Sequence, residues 1–319
     1  MNTDVEEVSA AEPAEFVYLS NRGSAIFKAA LEPLGGRVYE QGDPYIDLLY
    51  FDQYAGKVPP QQPGVHFTLI DRQRTIPLDN KATMAATLAD AGLVYPRVYF
   101  HDEDVPDEPG SLWFIKDPMA TGGRGITVVR REQIAEYFNF GCIIQEAVQD
   151  IAVLNERKFT LRAYVLVNSG KLYLYPSAIT VLHGAVYDPG SSDPMVQFEH
   201  SGYMEKDSPI KMLPFNEFSI SRQVIANLEA TIEQTFSAFS NFLKYEKKHT
   251  YCLFGIDSLV RSDLTTVMVE INDRPNLVHT KLINQQVNVP MVRAMMKVLR
   301  PELNDLSEDG LPFKCLGSL

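Results

Sequence analysis

The residues with most to offer chemically lie in one hairpin. The segment Tyr251–Asn276, YCLFGIDSLVRSDLTTVMVEINDRPN, places two apolar runs around a turn near Ser262–Thr265. A turn of two or four residues sets Asp257 directly opposite Glu270, and strand alternation puts Asn272 on the face of Glu270. Two carboxylates opposed on one face repel, by about 0.2–1 kcal/mol when exposed and by more when buried. A divalent cation removes that conflict, and an Asp/Glu/Asn oxygen set suits magnesium held partly by phosphates. A turn of odd length breaks the opposition, and a surface hairpin with its carboxylates in water satisfies the periodicity equally well.

Two further segments offer positive charge. In WFIKDPMATGGRGI (Trp113–Ile126) a strand ends at Lys116, and Gly122, Gly123 and Gly125 bracket Arg124 before the next strand. Glycines there let backbone N–H groups approach a phosphate chain. The order strand–loop–strand fits neither a P-loop nor a dinucleotide fold, and Gly-Gly-x-Gly taken alone is first a plain turn. In KFTLR, Lys158, Thr160 and Arg162 share one strand face, with Phe159 and Leu161 on the other. Two cations and a hydroxyl on one face suit a polyphosphate; an exposed amphipathic strand has the same pattern.

The elements that must position these residues alternate from the start. Strand patterns at Phe16–Leu19, Asp47–Phe51 and His66–Ile70, with a helical spacing at Ser24–Leu34, make an N-terminal α/β lobe over residues 15–78. A Pro/Gln/Gly-rich loop, Lys57–Gly64, interrupts it, and residues 1–14 read as a disordered lead. A helix is expected over Asp79–Ala91, capped by Asp79 and ended by Gly92. Strands at Arg97–Phe100, Leu112–Lys116 and Ile126–Arg130 and a helix at Glu132–Phe138 complete a central lobe over 79–142. The rest, 143–319, opens with a strand at Cys142–Val148 and a hairpin, Lys158–Val167 and Lys171–Tyr175, around Asn-Ser-Gly. A long helix at Ser221–Lys248, the acidic hairpin and a closing helix at Pro290–Leu299 follow. Residues 184–216, dense in Gly, Pro, Ser and Asp, form a long loop that is substrate-facing or mobile.

Composition narrows the classes. The 319 residues are 45% hydrophobic and 22% charged, an ordinary globular balance with no apolar run of membrane-spanning length. A net charge of −12 with no basic run beyond the KYEKK at Lys244–Lys248 argues against nucleic acid and anionic membrane as partners. Cys142, Cys252 and Cys315 match no zinc or disulfide spacing, and Cys142 and Cys252 sit in apolar runs as buried thiols, which suits a reducing, cytoplasmic setting.

In their order along the chain, these segments resemble the ATP-grasp fold, and within it the tubulin tyrosine ligase-like family. The resemblance covers roughly residues 75–300 and rests on the Lys81 helix, Lys116 with its glycine loop, IIQEAV, RKFTLR, LFGID and VEIND. It implies an α+β architecture, with the N-terminal lobe followed by two lobes that enclose ATP. Lys81, Lys116 and the glycine loop would hold phosphates, Gln145 and the backbone at Ala147 and Val148 the adenine with Lys158 nearby, and Asp257, Glu270 and Asn272 the Mg2+. Arg162 would steady the γ-phosphate or an acyl phosphate. The implied reaction joins a carboxylate to an amine, adding an amino-acid substrate to a peptide, protein or small-molecule acceptor. A glutathione-synthetase-type ligase and a non-catalytic ATP-binding module are the alternatives. Three departures fall toward the acceptor side. Thr160 stands where the family usually has Asp, no arginine is found near Val181, and His200-Ser201-Gly202 only echoes the family's His-Leu-Thr-Asn. The negative charge of the chain also repels an acidic tubulin tail unless a local basic groove receives it.

Overall fold

The computed structural model describes residues 15–50, 64–93, 95–198, 202–244, 248–306 and 310–319. The lead at 1–14, most of the 57–64 loop, His200-Ser201 and the middle of KYEKK lie outside the described residues. Among the described residues there are two sheets, one of eleven strands and one of four, with helices on their faces: a mixed α+β architecture.

The larger sheet begins as a parallel unit. Phe16–Ser20 lies between Gly36–Val38 and Ile46–Tyr50, and the Ser24–Leu31 helix covers it with Ile26, Phe27, Ala30 and Leu31. Val65–Leu69 extends this unit and then pairs, again in parallel, with Thr250–Val260 through Thr68 opposite Thr250 and Leu69 opposite Tyr251. Beyond that junction the same sheet is antiparallel. Thr250–Val260 takes Thr266–Asp273 and Arg157–Asn168 as neighbours, and Lys171–Leu182 and Lys211–Pro214 follow outward.

Burial explains the strands that carry the candidate site. In Arg157–Asn168, Phe159, Leu161 and Ala163 are buried against Val224, Leu228, Ile232 and Phe236 of the Ser221–Ala238 helix, while Thr160 and Arg162 remain half-buried on the opposite face. The second strand of this hairpin runs on to Leu182, past the expected end at Tyr175. Pro176 sits where the pairing shifts register, between Leu174 opposite Val165 and Ala178 opposite Ala163, so its missing N–H breaks no ladder bond.

The smaller sheet is Val98–Tyr99, Ile143–Glu146, Leu112–Lys116 and Ile126–Arg130, over a small core centred on Trp113, Ile115, Val129 and Ile144. Its last strand reaches Glu146, because Ile143–Glu146 hydrogen-bonds Leu112–Lys116. The helix expected over Asp79–Ala91 is Lys81–Asp90, and a separate helix, Arg72–Asp79, precedes it. Asn80, not Asp79, caps Lys81–Asp90, with Oδ1 accepting the N–H groups of Ala82 and Thr83. The long helix ends at Ala238 and the acidic hairpin extends to Asp273. The 184–216 segment contains a short helix, Pro194–Gln197, and the strand Lys211–Pro214. Cys252 is buried, Cys142 partly buried and Cys315 exposed, all as free thiols. No helix among the described residues is long and apolar enough to cross a membrane.

Candidate active site

The acidic hairpin reaches its register by an unexpected route. Val260 pairs with Thr266, so the connecting loop, Arg261–Thr265, is odd in length, and continued regularly it would set Asp257 against Val269. A bulge between the Ser258–Met268 and Asp257–Glu270 pairs restores the opposition of Asp257 and Glu270. Asp257 is the one half-buried position in a strand otherwise buried throughout. The carboxylates do not confront each other uncompensated. Arg162 holds Asp257 in a two-pronged bridge (Nε–Oδ1 2.6 Å, Nη2–Oδ2 2.7 Å), and Asn272 Nδ2 donates to Asp257 Oδ2 at 3.2 Å. Glu270 Oε1 lies 3.2 Å from Lys81 Nζ. The expected standing repulsion is thus corrected: each carboxylate brings its own cation.

Lys81 is itself buried and also donates to the Ala120 carbonyl (2.7 Å), so it ties the glycine loop to the hairpin from behind. In the loop, Gly122, Gly123 and Gly125 all have positive φ (68°, 74° and 65°). A Cβ on Gly125 would also meet Asp117 Cβ at 3.0 Å and Ala120 Cβ at 3.1 Å. Lys116 Nζ donates to Gln145 Oε1 (2.5 Å), and Lys158 Nζ to Gln197 Oε1 (3.1 Å). Both ammonium groups stand 5.3 Å from the Phe114 ring centroid. Burial drives the Lys116 pKa down to about 8, with Lys81 adding to and Glu270 opposing the shift. Burial, then Lys116, brings Lys158 to about 7. Among the described residues neither ammonium forms an ion pair with a carboxylate; each is held by an amide oxygen.

These side chains open onto one cleft of about 530 Å3 between the two sheets. Lys116, Gly122, Gln145, Val148, Lys158, Arg162, Asp257, Glu270 and Asn272 line it; Lys81, Gly123, Gly125 and Ala147 do not. The Ala147 N–H is already given to the Leu112 carbonyl (3.2 Å). The order of segments is matched by comparison with known proteins. The sequence matches the model of the tubulin-tyrosine ligase family over residues 53–200 and 215–306, more than half of the chain. The chain belongs to the tubulin-tyrosine ligase family.

Within this family the chain is similar to a probable alpha-tubulin polyglutamylase of Tetrahymena thermophila, 19% identical over 63% of this chain and 57% of the relative. It is also similar to a tubulin polyglutamylase of Caenorhabditis briggsae, 23% identical over 58% of this chain and 35% of the relative. The chain therefore spans between about a third and three fifths of the length of these relatives. The α+β architecture agrees with the family's ATP-grasp fold.

The donor set of this tubulin-tyrosine ligase family member fits a hard cation. Asp257, Glu270 and Asn272 offer only oxygen donors to the cleft, and among the described residues no three His, Cys, Asp or Glu side chains cluster as a metal cage. That is the chemistry of magnesium completed by phosphate oxygens and water rather than by protein alone. Several cleft residues carry no sequence pattern that singles them out. Gln197, Phe198 and Tyr203 come from the long 184–216 segment, His183 follows the end of a strand, and His279 lies in the loop after Asp273. His183 Nε2 lies 3.1 Å from Thr160 Oγ1, so a histidine backs this hydroxyl. Asp79 also lines the cleft, and burial and Asp273 raise its pKa to about 6 against the pull of Arg72.

Proposed function

We propose that the chain is an ATP-dependent carboxylate–amine ligase that adds an amino acid to a peptide or protein acceptor through an acyl phosphate. The observation that carries this reading is the cleft itself, which gathers buried cations, a glycine loop and a two-carboxylate hairpin from distant parts of the chain. Lys116 and Lys158, costly to bury without an anion, would hold the nucleotide's phosphates. Arg162, fixed by Asp257, would lie along the γ-phosphoryl group as it passes to a carboxylate oxygen and ADP leaves. The amine then attacks the acyl carbon, phosphate departs, and the amine loses a proton. Asp257, Glu270 and Asn272 would hold magnesium, which when bound supplies neutralising charge to the phosphate oxygens. The glycine loop would exclude water from the acyl phosphate.

The names of the relatives make glutamate the first amino acid to test. The chain would be incubated with ATP, magnesium, single amino acids and tubulin, acidic peptides or free amino acids as acceptors. ADP release and intact mass are read together. The expected result is ADP formed in step with a mass gain of one amino-acid residue on a peptide or protein. Lys116→Ala and Arg162→Ala should lose this turnover by orders of magnitude while still melting cooperatively. Wild-type-like turnover in either folded variant overturns the reading. A mass gain confined to free amino acids replaces it with a small-molecule ligase.

A further inference from the structure

The acidic hairpin leads into a loop that a single π-helical turn, Asn284–Asn288, grips from behind. Asn284 Oδ1 accepts the His279 N–H (3.0 Å), and its Nδ2 donates to the His279 carbonyl (2.8 Å). Asn288 Nδ2 shares its two hydrogens among the Leu277 carbonyl (2.9 Å), Asn284 Oδ1 (3.0 Å) and His279 Nδ1 (2.9 Å), while its Oδ1 accepts from the Tyr164 hydroxyl (2.9 Å). A backbone carbonyl can only accept, so the nitrogen of the Asn288 amide must face Leu277, and the same nitrogen faces the imidazole. An amide nitrogen cannot accept, so His279 Nδ1 facing it carries no proton, and the ring proton sits on Nε2. The ring lines the cleft, and Nε2 makes no hydrogen bond among the described residues.

The charged and titratable groups around the ring are Arg162, Asp257 and Tyr203, whose ring centroid is 6.0 Å away. Burial, then Arg162, pushes the His279 pKa down to about 4 against the opposing pull of Asp257. A general base needs its lone pair toward the amine, and here the Nδ1 lone pair faces the Asn288 amide. What remains is a donor beside an arginine, the pairing that suits a carboxylate and the acyl phosphate made from it.

We propose that His279 is a substrate-binding residue: a neutral imidazole whose Nε2–H donates to a carboxylate oxygen of the acceptor at the Arg162 end of the cleft, without serving as base for the amine. This role rests on the ligase reading above.

Two variants separate it from a structural role. In His279→Asn the new Oδ1 takes the place of Nδ1, which keeps the Asn288 bond and removes the cleft donor. In His279→Gln the terminal amide nitrogen reaches the place of Nε2 and keeps a donor. The acceptor KM should rise about tenfold or more in His279→Asn, with the ATP KM within about twofold, and return to within about threefold of wild type in His279→Gln. Imidazole 15N NMR on the resting protein should show an Nε2–H tautomer that does not titrate between about pH 5.5 and 8. The opposite order of the two variants, an Nδ1–H tautomer, or a titrating ring overturns the assignment. A wild-type chain that turns over no acceptor refutes the ligase reading instead, and the NMR measurement still decides the tautomer.

Discussion

Lys81 has almost no contact with water, and its ammonium bridges the Ala120 carbonyl and Glu270. Glu270→Gln keeps the shape of the side chain but leaves that buried cation with a carbonyl and an amide oxygen. We expect a loss of about 2 kcal/mol in unfolding free energy, together with loss of ATP-dependent turnover. Urea unfolding and ADP release on the same sample check both. An unchanged or higher stability would mean that repulsion between Glu270 and Asp257 outweighs the Lys81 contact. Asp257 and Glu270 were legible as partners because strand alternation is short-ranged. Their opposition was reached from an even turn that the chain does not have; the odd loop and the bulge offset one another. Lys81 and Arg162, the cations that quiet the pair, lie far away in sequence and leave no trace in the periodicity of the hairpin.

At the scale of an element, the glycine loop separates two demands that the sequence presents together. Gly122 and Gly125 both hold positive φ, but a Cβ on Gly122 meets nothing within 4 Å whereas one on Gly125 meets Asp117 and Ala120. Each alanine substitution costs about 1 kcal/mol for the left-handed backbone, and only Gly125→Ala adds tight contacts, to Asp117 and Ala120, which must yield by a few tenths of an ångström. Gly125→Ala should therefore weaken ATP–magnesium binding, read by thermal shift, distinctly more than Gly122→Ala. Equal losses would show that the close approach at Gly125 has no bearing on the loop. Strands with alternating or β-branched apolar residues, Leu112–Lys116 and Ile126–Arg130 among them, were readable to the residue. Arg72–Asp79 was not, because RQRTIPLD is polar and carries Pro77; Asp71 Oδ1, accepting the Gln73 N–H, starts it all the same. Lys171–Leu182 runs past its expected end at Tyr175, because Pro176 falls at a register shift rather than in a regular ladder.

Taken as a whole, the molecule holds two buried lysines that its own carboxylates do not neutralise. Their folded pKa values, about 8 for Lys116 and about 7 for Lys158, lie below the usual value of 10.5. Above pH 7 the unfolded chain holds more protons on these groups than the folded one, so their contribution to stability rises with pH up to about 10.5. A bound polyphosphate restores their charge. ATP–magnesium binding at pH 8 should accordingly take up about one proton, seen as a dependence of calorimetric enthalpy on the ionisation enthalpy of the buffer. Proton release, or none exchanged, would place the phosphates elsewhere. The junction between the two halves of the large sheet has a consequence for synthesis. Val65–Leu69 leaves the ribosome with one edge bare, and the strand that covers it begins some 180 residues later, at Thr250. At ~5–20 residues per second that edge waits roughly ten to forty seconds. This parallel unit thus waits on a strand far along the chain, and until Thr250 and Tyr251 arrive its open edge is exposed to wrong partners.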